Sequence, residues 1–290
     1  MAHALTGRET AAIRLDGLES DIEEIEVRLL LEGIRLRYGY DFREYAVRPL
    51  RRSIHDAMAS EGISAISTFQ DRILHDEPSM HRFLGIVGVS VTSMFRDAEL
   101  MRCLREEAVP VFRTYPSVRI WIVGCATGEE VYTLAVVLQE EGLLQRASIY
   151  ATDLNEDALT VARTGAYLLD AVRSCEERYE ASGGRGRLSD HYEVSGRTAR
   201  FHRRLQDSVT WSRHNLVSDT SFNDFHLVVC ANVLIYFRPS LQERAHRLFV
   251  DSLVRLGFLA LGKGESLVFS PESSRYRQVQ DGVGLFRKVR

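Results

Sequence analysis

A short apolar segment that runs into a glycine turn and then into a helical pattern constrains the fold of this chain most. Residues 120–123 are apolar and partly β-branched, which predicts a buried strand. The turn at 124–128 contains two glycines, and residues 130–138 have the composition of a helix. A strand, a glycine turn and a helix in this order open a nucleotide-binding α/β unit, whose ligand lies over the carboxyl end of the strand. The pattern alone leaves the ligand open, because many α/β proteins turn on glycines.

A second strand pattern supports a cofactor site. Residues 147–153 predict a strand that ends in Asp153, and residues 154–164 predict a helix. In dinucleotide-type folds the acid at the end of the second strand accepts hydrogen bonds from ribose hydroxyls, and Asp153 lies at roughly the expected offset of about twenty residues from the first turn. Its alternative role is to cap the following helix, a role open also to Asn155.

Two carboxylates at the start of the first helix restrict the kind of ligand. Glu129 and Glu130 lie at the end of the glycine turn, where two negative charges would repel a pyrophosphate. They suit a ligand with a cationic amino-acid part. S-adenosylmethionine has an ammonium group, a sulfonium and a ribose, but no phosphate, so the carboxylates favour methyl transfer over hydride transfer. The alternative role of Glu129 and Glu130 is a modest stabilisation of the helix dipole.

Composition and charge exclude several classes of protein. The chain has 290 residues, of which 45% are hydrophobic and 27% charged, as in an ordinary soluble globular protein. The net charge of -3 argues against a generic nucleic-acid binder. Four scattered cysteines form no C-x-x-C pair, so we expect neither a metal site nor disulfides. No apolar run is long enough to span a membrane and the amino terminus lacks the apolar core of a signal peptide, so we expect a cytoplasmic protein.

The patterns divide the chain into successive segments. We expect a loose tail at 1–20, an all-α domain at 21–88, a loop and helix at 89–116, and an α/β domain at 117–290. A β-rich insert at about 165–212 interrupts the α/β alternation. The insert is expected to influence what docks rather than the chemistry.

Several local predictions can be compared with the structure. The first helix should be broken by Gly33 and end at Gly39. Residues 209–211 have strand-like composition and are assigned to the insert. Residues 257–261 and 266–269 are expected to form strands on either side of a turn.

The helix after Pro49 has one basic face. Leu50, Ile54, Ala57 and Met58 share an apolar face, and the opposite face presents three basic residues: Arg51, Arg52 and His55. From the residues alone, a solvated face is the favoured interpretation. The alternative is a docking surface for an acidic partner.

Six segments, in chain order, resemble motifs of the bacterial chemotaxis receptor methyltransferases, the CheR family. The similarity covers the chain from about Leu29 to Val289. The segments are 40–45 with 50–52, 91–97, 124–130, 151–155, 214–216 and 232–237. Each would be a weak signal alone, but six in the order of the family are highly specific. The resemblance implies a class I, Rossmann-like α/β methyltransferase fold that uses S-adenosylmethionine, with a small all-α N-terminal domain and an inserted β-subdomain.

The resemblance also implies roles for single positions. The implied cofactor-binding residues are Ser90, Thr92, Arg96, Gly124, Glu129, Glu130, Asp153, Asn215, Leu216, Asn232 and Val233. Glu130, with Glu129, would hold the methionine end and Asp153 the ribose hydroxyls. Asn215 and Leu216 would lie beside the adenine. The implied catalytic residues are Arg96 and Tyr236, either of which could orient the acceptor.

The implied reaction is methyl transfer to glutamate side chains of chemoreceptors, which gives methyl esters. A carboxylate is already anionic at neutral pH, so no general base is needed. Catalysis can then consist mostly of in-line positioning of the reacting atoms, helped by the exclusion of water as the charges cancel. This explains why the sequence contains no paired-acid or Ser-His-Asp arrangement.

The resemblance also bears on the partner. An acidic helical substrate, the cytoplasmic coiled coil of a chemoreceptor, would dock on Arg51, Arg52 and His55. We expect a monomer that binds no metal and no nucleic acid and does not insert into a membrane.

Three positions depart from the family pattern. Ser90 replaces an asparagine found in some members, Val131 a common proline and Ala231 the usual arginine, which removes a charge beside the pocket. Two other functions stay open: a methyltransferase with a small-molecule or different protein acceptor, for which the insert would be decisive, and a non-catalytic module that binds the cofactor or a receptor.

Overall fold

The structure, a computed structural model, describes residues 6–87 and 92–289, and their side chains from residue 22 onward. It divides into two compact units, Met1–Val87 and Gly88–Arg290. Ser90 lies outside the described residues.

The first unit is a group of helices. They are α1 (Thr6–Tyr38), α2 (Val47–Ser60), α3 (Ile66–His75) and α4 (Glu77–Val87). Large apolar side chains from all four helices are fully buried in its core, among them Leu30, Ile34, Ile54, Phe69 and Phe83.

Helix α1 differs from the sequence prediction in two respects. It begins at Thr6, inside the segment expected to be loose, because the Glu, Ala, Leu and Arg residues there favour a helix. It also continues through Gly33, where an added Cβ would lie 3.4 Å from Leu74 of α3. This distance is an ordinary van der Waals contact, so packing does not require a glycine here. The intrinsic cost of a helical glycine, about 1 kcal/mol, is offset by the burial of its helix neighbours Leu30 and Ile34. The helix ends before Gly39, whose φ of 78° is the left-handed conformation common after a helix.

The second unit contains strands in two sheets. The strands are β1 (Val118–Val123), β2 (Ala147–Asp153), β3 (Ala166–Leu168), β4 (Tyr192–Ser195), β5 (Thr198–Phe201), β6 (Val209–Arg213), β7 (Phe225–Cys230), β8 (Leu253–Leu261), β9 (Tyr276–Gln278) and β10 (Leu285–Lys288). The helices are α5 (Ala98–Cys103), α6 (Val109–Phe112), α7 (Glu129–Glu140), α8 (Glu156–Thr164), α9 (Leu169–Arg173), α10 (Glu176–Ala181), α11 (Arg203–Gln206) and α12 (Pro239–Ser252).

The larger sheet has seven strands in the order β6-β2-β1-β7-β8-β10-β9. The first five are parallel, and β10 is antiparallel to both neighbours. Strand β6 corrects the assignment of residues 209–211 to the insert, because it pairs with β2 in the main sheet. A parallel pairing of this kind joins strands far apart in the chain, so neighbouring residues do not reveal it.

The smaller sheet, of order β3-β5-β4, lies within the expected insert. By contrast, residues 266–269 form no strand. Strand β8 is paired on one side with β7 and on the other with β10, where Ala260 lies opposite Leu285, so it has no free edge on which this segment could form a hairpin. Phe269 is instead 94% exposed.

A buried network of charged residues connects the insert with the end of α7. Arg105 donates to Glu140 and Glu141 at 2.5 and 3.2 Å, and Tyr179 and His191 of the insert contact Glu140. Burial alone would raise the pKa of Glu140, but the hydrogen bonds from His191, Tyr179 and Arg105 lower it to about 2. The pairing of opposite charges offsets the free-energy cost of burying them.

Neither a membrane span nor a metal site is found in the described ranges. No helix within 6–87 and 92–289 is both long and apolar enough to cross a membrane. The same residues contain no group of three His, Cys, Asp or Glu side chains arranged to hold a metal ion.

Candidate cofactor and active site

The glycine turn lies where the strand order reverses, between β1 and β7. Gly124 and Gly128 have φ values of 63° and 94°. A Cβ on Gly124 would come within 2.5 Å of Val233 in the loop after β7, and a Cβ on Gly128 within 2.9 Å of Ala162 in α8. Both glycines are therefore needed for close packing as well as for backbone conformation. Open α/β sheets bind ligands at this point.

Asp153 joins the ends of β1 and β2. Its Oδ2 accepts a hydrogen bond from the Ala126 N–H and its Oδ1 one from the Asn155 N–H, both at 2.8 Å. Burial raises the pKa of Asp153, and these backbone donors oppose the shift. The cap of α8 is Asn155, whose Oδ1 accepts from the Asp157 N–H at 2.9 Å. Asp153 is thus not the cap and holds the glycine turn in place.

The two carboxylates at the start of α7 have different surroundings. Glu129 accepts a hydrogen bond from the Thr127 hydroxyl at 2.7 Å. Glu130 is half-buried, and burial raises its pKa to about 7, with the charge of Asp97 adding to the shift and that of Arg96 opposing it. Among the described residues, no donor is hydrogen-bonded to the Glu130 carboxylate. This carboxylate is suited to a cation.

The loop that carries Thr92 and Arg96 is anchored on α7. The N–H of Phe95, a buried residue with a φ of 52°, donates to the Thr133 hydroxyl at 3.0 Å. At the end of the loop Asp97 caps α5 by accepting from Leu100 N–H at 3.0 Å. Arg96 is exposed and close enough to Glu130 and Tyr236 to influence the pKa of both. Thr92 is half-buried.

Glu265 is a central residue of the site that the sequence reasoning missed. Its Oε1 accepts from the N–H groups of Val233 and Leu234 at 2.8 and 2.7 Å, and its Oε2 from those of Asn232 and Gly262 at 2.9 and 2.8 Å. It therefore holds the loop after β7, in which Asn232 has a φ of 62°. The only signal was a carboxylate within a glycine-containing turn, 262–265, which was interpreted as a simple turn.

The segment after β6 carries the last two of the predicted cofactor-binding residues. His214 N–H donates to the carbonyl of Asp153 at 3.1 Å, which places Asn215 and Leu216 next to the end of β2. The Asn215 side chain accepts from Val217 N–H at 2.9 Å, and Leu216 is buried. The predicted site residues that follow β1, β2, β6 and β7 therefore lie at the carboxyl ends of these strands, at the same edge of the sheet.

The three basic residues of α2 lie in the first unit. Arg52 and His55 are exposed, whereas Arg51 is half-buried and its Nε is enclosed without a hydrogen-bond partner among the described residues. Arg52 is exposed and lies 3.9 Å from Asp56, while His55 Nε2 is 3.1 Å from Glu23.

This strand order, with a glycine turn and carboxylates at the strand ends, is that of a class I methyltransferase. A profile described as the CheR methyltransferase SAM-binding domain matches residues 90–283. The chain belongs to the CheR methyltransferase family, and it is an S-adenosylmethionine-dependent methyltransferase. The expected fold class and cofactor are thereby confirmed.

Several curated relatives are similar over most of the chain. "Putative methyltransferase Cher3" of Pseudomonas putida is 43% identical over 91% of this chain and 97% of its own length. A chemotaxis protein methyltransferase of Listeria monocytogenes is 27% identical over 79% and 86%, respectively. An uncharacterised 104.1 kDa protein of Rhodobacter capsulatus is 29% identical over 86% of this chain but only 27% of its own length.

The residues present fit the cofactor. When bound, S-adenosylmethionine supplies a methyl group on a positively charged sulfur, beside a cationic ammonium. Glu130 offers a half-buried carboxylate without a hydrogen-bond donor among the described residues, and a cation would lower its pKa. A ligand with a pyrophosphate would instead meet two carboxylates, Glu129 and Glu130.

The raised pKa of Glu130 predicts a pH-dependent cofactor affinity. Because a cation binds best to the ionised carboxylate, the affinity should fall up to about tenfold per pH unit below about 7. It should fall again above about 8, where the free amino group of the cofactor loses its proton. Isothermal titration calorimetry across this range measures the profile. Glu130→Gln should remove the acidic decrease, whereas Glu156→Gln, on the exposed side of α8, should keep it. A wild-type affinity that is constant below neutral pH would contradict the prediction.

The four hydrogen bonds of Glu265 predict a loss of cofactor affinity in Glu265→Gln. Glutamine presents one acceptor oxygen and one donor amide, so about half of the four N–H groups lose their acceptor, at about 1–3 kcal/mol each. We expect a cofactor affinity reduced about tenfold or more and a lower melting temperature, measured by calorimetry and thermal denaturation. Glu272→Gln, which removes surface ion pairs with Arg247 and Arg275, is the matched control. Unchanged affinity in Glu265→Gln would show that the loop does not need this carboxylate.

Proposed function

We propose that this protein transfers the methyl group of S-adenosylmethionine to glutamate side chains in the cytoplasmic helices of chemoreceptors, forming glutamyl methyl esters. The observation that carries the proposal is the position of Arg96. An exposed guanidinium lies beside both the cation-binding Glu130 and the half-buried Tyr236. A group that prefers carboxylates is therefore near the position proposed for the cationic cofactor, which supports an anionic acceptor. The proposal locates the protein in the cytoplasm, where those receptor helices are.

Each predicted cofactor contact has a chemical reason. Glu130 would bind the ammonium group, with Glu129 nearby. Asp153 would accept hydrogen bonds from the ribose hydroxyls, because its carboxylate keeps lone-pair capacity beyond its backbone donors. Leu216 would pack against the adenine.

The remaining contacts come from loops whose backbone is held in place. Asn232 and Val233 are fixed by Glu265, and Gly124 lets the turn approach Val233. Thr92 would contact the cofactor from the loop anchored at Thr133. Ser90 remains a prediction from the family pattern.

The chain's own residues would act by positioning. Arg96 can hold an acceptor carboxylate through paired N–H donors. Burial raises the pKa of Tyr236, and although Arg96 opposes the shift, Glu265 adds to it. The phenol therefore stays protonated and can donate to the acceptor. The acceptor carboxylate is anionic at neutral pH, so no residue has to remove a proton.

Receptor docking would use the basic face of α2. Arg52 and His55 present basic side chains at the surface, and Arg51 lies half-buried beside them. The complementary surface is a helix rich in carboxylates, such as the methylated region of a receptor. Such charge pairs mainly increase the association rate and the specificity.

The first test measures transfer of labelled methyl groups to receptor cytoplasmic fragments. We expect methyl groups that are released by mild base, as esters are, and an Arg96→Ala variant with turnover reduced about a hundredfold or more but cofactor affinity retained. Arg102→Ala, an exposed arginine of α5, should retain turnover. Label in base-stable bonds would exclude an ester, and cofactor binding without receptor methylation would indicate a different acceptor. Normal turnover in Arg96→Ala would remove Arg96 from the mechanism.

The second test separates docking from chemistry. Arg51→Glu with Arg52→Glu should raise the KM for the receptor fragment about tenfold or more, because it reverses two charges at the docking face, while S-adenosylmethionine affinity stays the same. Arg244→Glu with Arg247→Glu, at exposed positions of α12 in the second unit and outside the insert, is the matched charge reversal and should leave KM unchanged. Parallel loss of receptor methylation and cofactor binding would indicate misfolding, and an unchanged KM would exclude this face.

A further inference from the structure

The insert contacts the glycine turn through the side chain of Tyr167. This residue lies in β3, the first strand of the smaller sheet, opposite Ala199 of β5. Its hydroxyl donates a hydrogen bond to the Thr127 carbonyl at 2.7 Å. An added Cβ on Gly128 would come within 3.0 Å of the same hydroxyl. The insert, which was expected to influence docking, therefore also touches the turn over which the cofactor is proposed to lie.

The ring of Tyr167 is held by aromatic neighbours from two elements. Its centroid lies 5.7 Å from that of Tyr132 in α7 and 6.0 Å from that of Phe201 in β5, both in edge-to-face contact. This is one of the favoured geometries of aromatic pairs. Burial raises the pKa of Tyr167 well above its ordinary value, and the charge of Glu129 adds to the shift. The hydroxyl therefore keeps its proton and acts as a donor.

The Thr127 carbonyl lies just before the hydrogen-bond pattern of α7. The Tyr132 N–H donates to the Gly128 carbonyl at 3.0 Å, which leaves the preceding carbonyl, that of Thr127, outside the helical pattern. A carbonyl inside the protein needs a donor, and Tyr167 provides one. Asp153 holds the other side of the turn, so the two anchors of the turn belong to different elements.

A second hydrogen bond continues from the turn to a carboxylate. The Thr127 hydroxyl donates to Glu129 Oε2 at 2.7 Å, and this bond opposes the rise in pKa that burial causes at Glu129. Because the bond from Tyr167 fixes the Thr127 carbonyl, it restricts the rotation of the residue that carries the hydroxyl. Two consecutive hydrogen bonds thus connect the insert with the Glu129 carboxylate.

We propose that Tyr167 is a positioning residue of the cofactor site, which orients Glu129 through Thr127 towards the ammonium group of S-adenosylmethionine. The proposal rests on the function proposed above, in which the methionine end of the cofactor lies beside Glu129 and Glu130. Of these two carboxylates, Glu129 is the one that receives a hydrogen bond from the turn. The insert thereby sets the affinity for the methionine end of the cofactor, in addition to any role in docking.

Calorimetric binding of two ligands to the full chain tests the proposal. Tyr167→Phe removes the hydroxyl but keeps the ring, so the fold should survive, which thermal denaturation would verify. We expect the affinity for S-adenosylmethionine to fall about tenfold, because a hydrogen bond is lost and its acceptor is left unpaired. The affinity for methylthioadenosine should be unchanged, because this ligand has the adenine, ribose and sulfur but no amino-acid part. Replacement of Tyr167 by para-aminophenylalanine, which keeps a donor at the end of the ring, should restore S-adenosylmethionine binding.

Tyr192→Phe is the matched control. Tyr192 belongs to β4 of the same sheet and packs on the ring of Phe201 at 5.6 Å, so the loss of its hydroxyl should leave both affinities unchanged. Thr127→Val removes the second hydrogen bond and should reproduce the selective loss. Adding Tyr167→Phe to Thr127→Val should cause little further loss, because the two residues act through one another.

Two results would overturn the proposal. One is a Tyr167→Phe variant that binds S-adenosylmethionine as tightly as the wild type. The other is an equal loss of affinity for both ligands, which would show that Tyr167 only stabilises the turn.

Glu130→Gln separates these results from an error in the position of the cofactor. If the methionine end lies beside the start of α7, this variant should also weaken S-adenosylmethionine binding and spare methylthioadenosine. Equal affinities in Glu130→Gln and the wild type would contradict the proposed position of the cofactor, and the role of Tyr167 with it. No acceptor takes part in these measurements, so a failure to methylate receptor glutamates would not affect them.

Discussion

The site depends on how the backbone N–H groups at the ends of parallel strands find acceptors. Such groups have no ladder partner, and leaving them unpaired inside the protein is costly. Asp153 accepts the donors of the turn after β1, and Glu265 accepts four donors around the loop after β7. The two loops touch where Gly124 faces Val233. Each carboxylate therefore supports the position of both loops.

The carboxylates of the site also determine its charge. Burial raises the pKa of the four carboxylates Glu129, Glu130, Asp153 and Glu265. For Glu129, Asp153 and Glu265, hydrogen bonds from Thr127 or from backbone N–H groups oppose this rise in pKa. Glu130 lacks such a donor among the described residues. It therefore gains most from a cation. Arg96 provides the opposite charge nearby, so a cationic methyl donor and an anionic acceptor would each meet a complementary group, and their charges would cancel during transfer.

The sequence predicted the local elements of this site well and its long-range contacts poorly. The strand, glycine turn and helix at 118–140 were predicted because they are contiguous in the chain. The pairing of β6 with β2 and the role of Glu265 could not be predicted, because each depends on residues more than thirty positions away. Gly33 shows the same limit, since the helix continues through it because neighbours such as Leu30 and Ile34 are buried in the core of the first unit. The family resemblance supplied Asn215 and Asn232, which no spacing rule would have selected.

Helix α7 connects the cofactor pocket with the insert through its two ends. Its first residues, Glu129 and Glu130, face the pocket, and its last, Glu140, is held with Glu141 in the buried network. Eight consecutive residues between them are buried, so the helix is packed on all sides and cannot tilt independently. A displacement of the insert that moves Glu140 would thus act on the helix as a whole, including the carboxylates at its other end. Apolar contacts alone would allow sliding, whereas paired buried charges fix the register of the insert on α7.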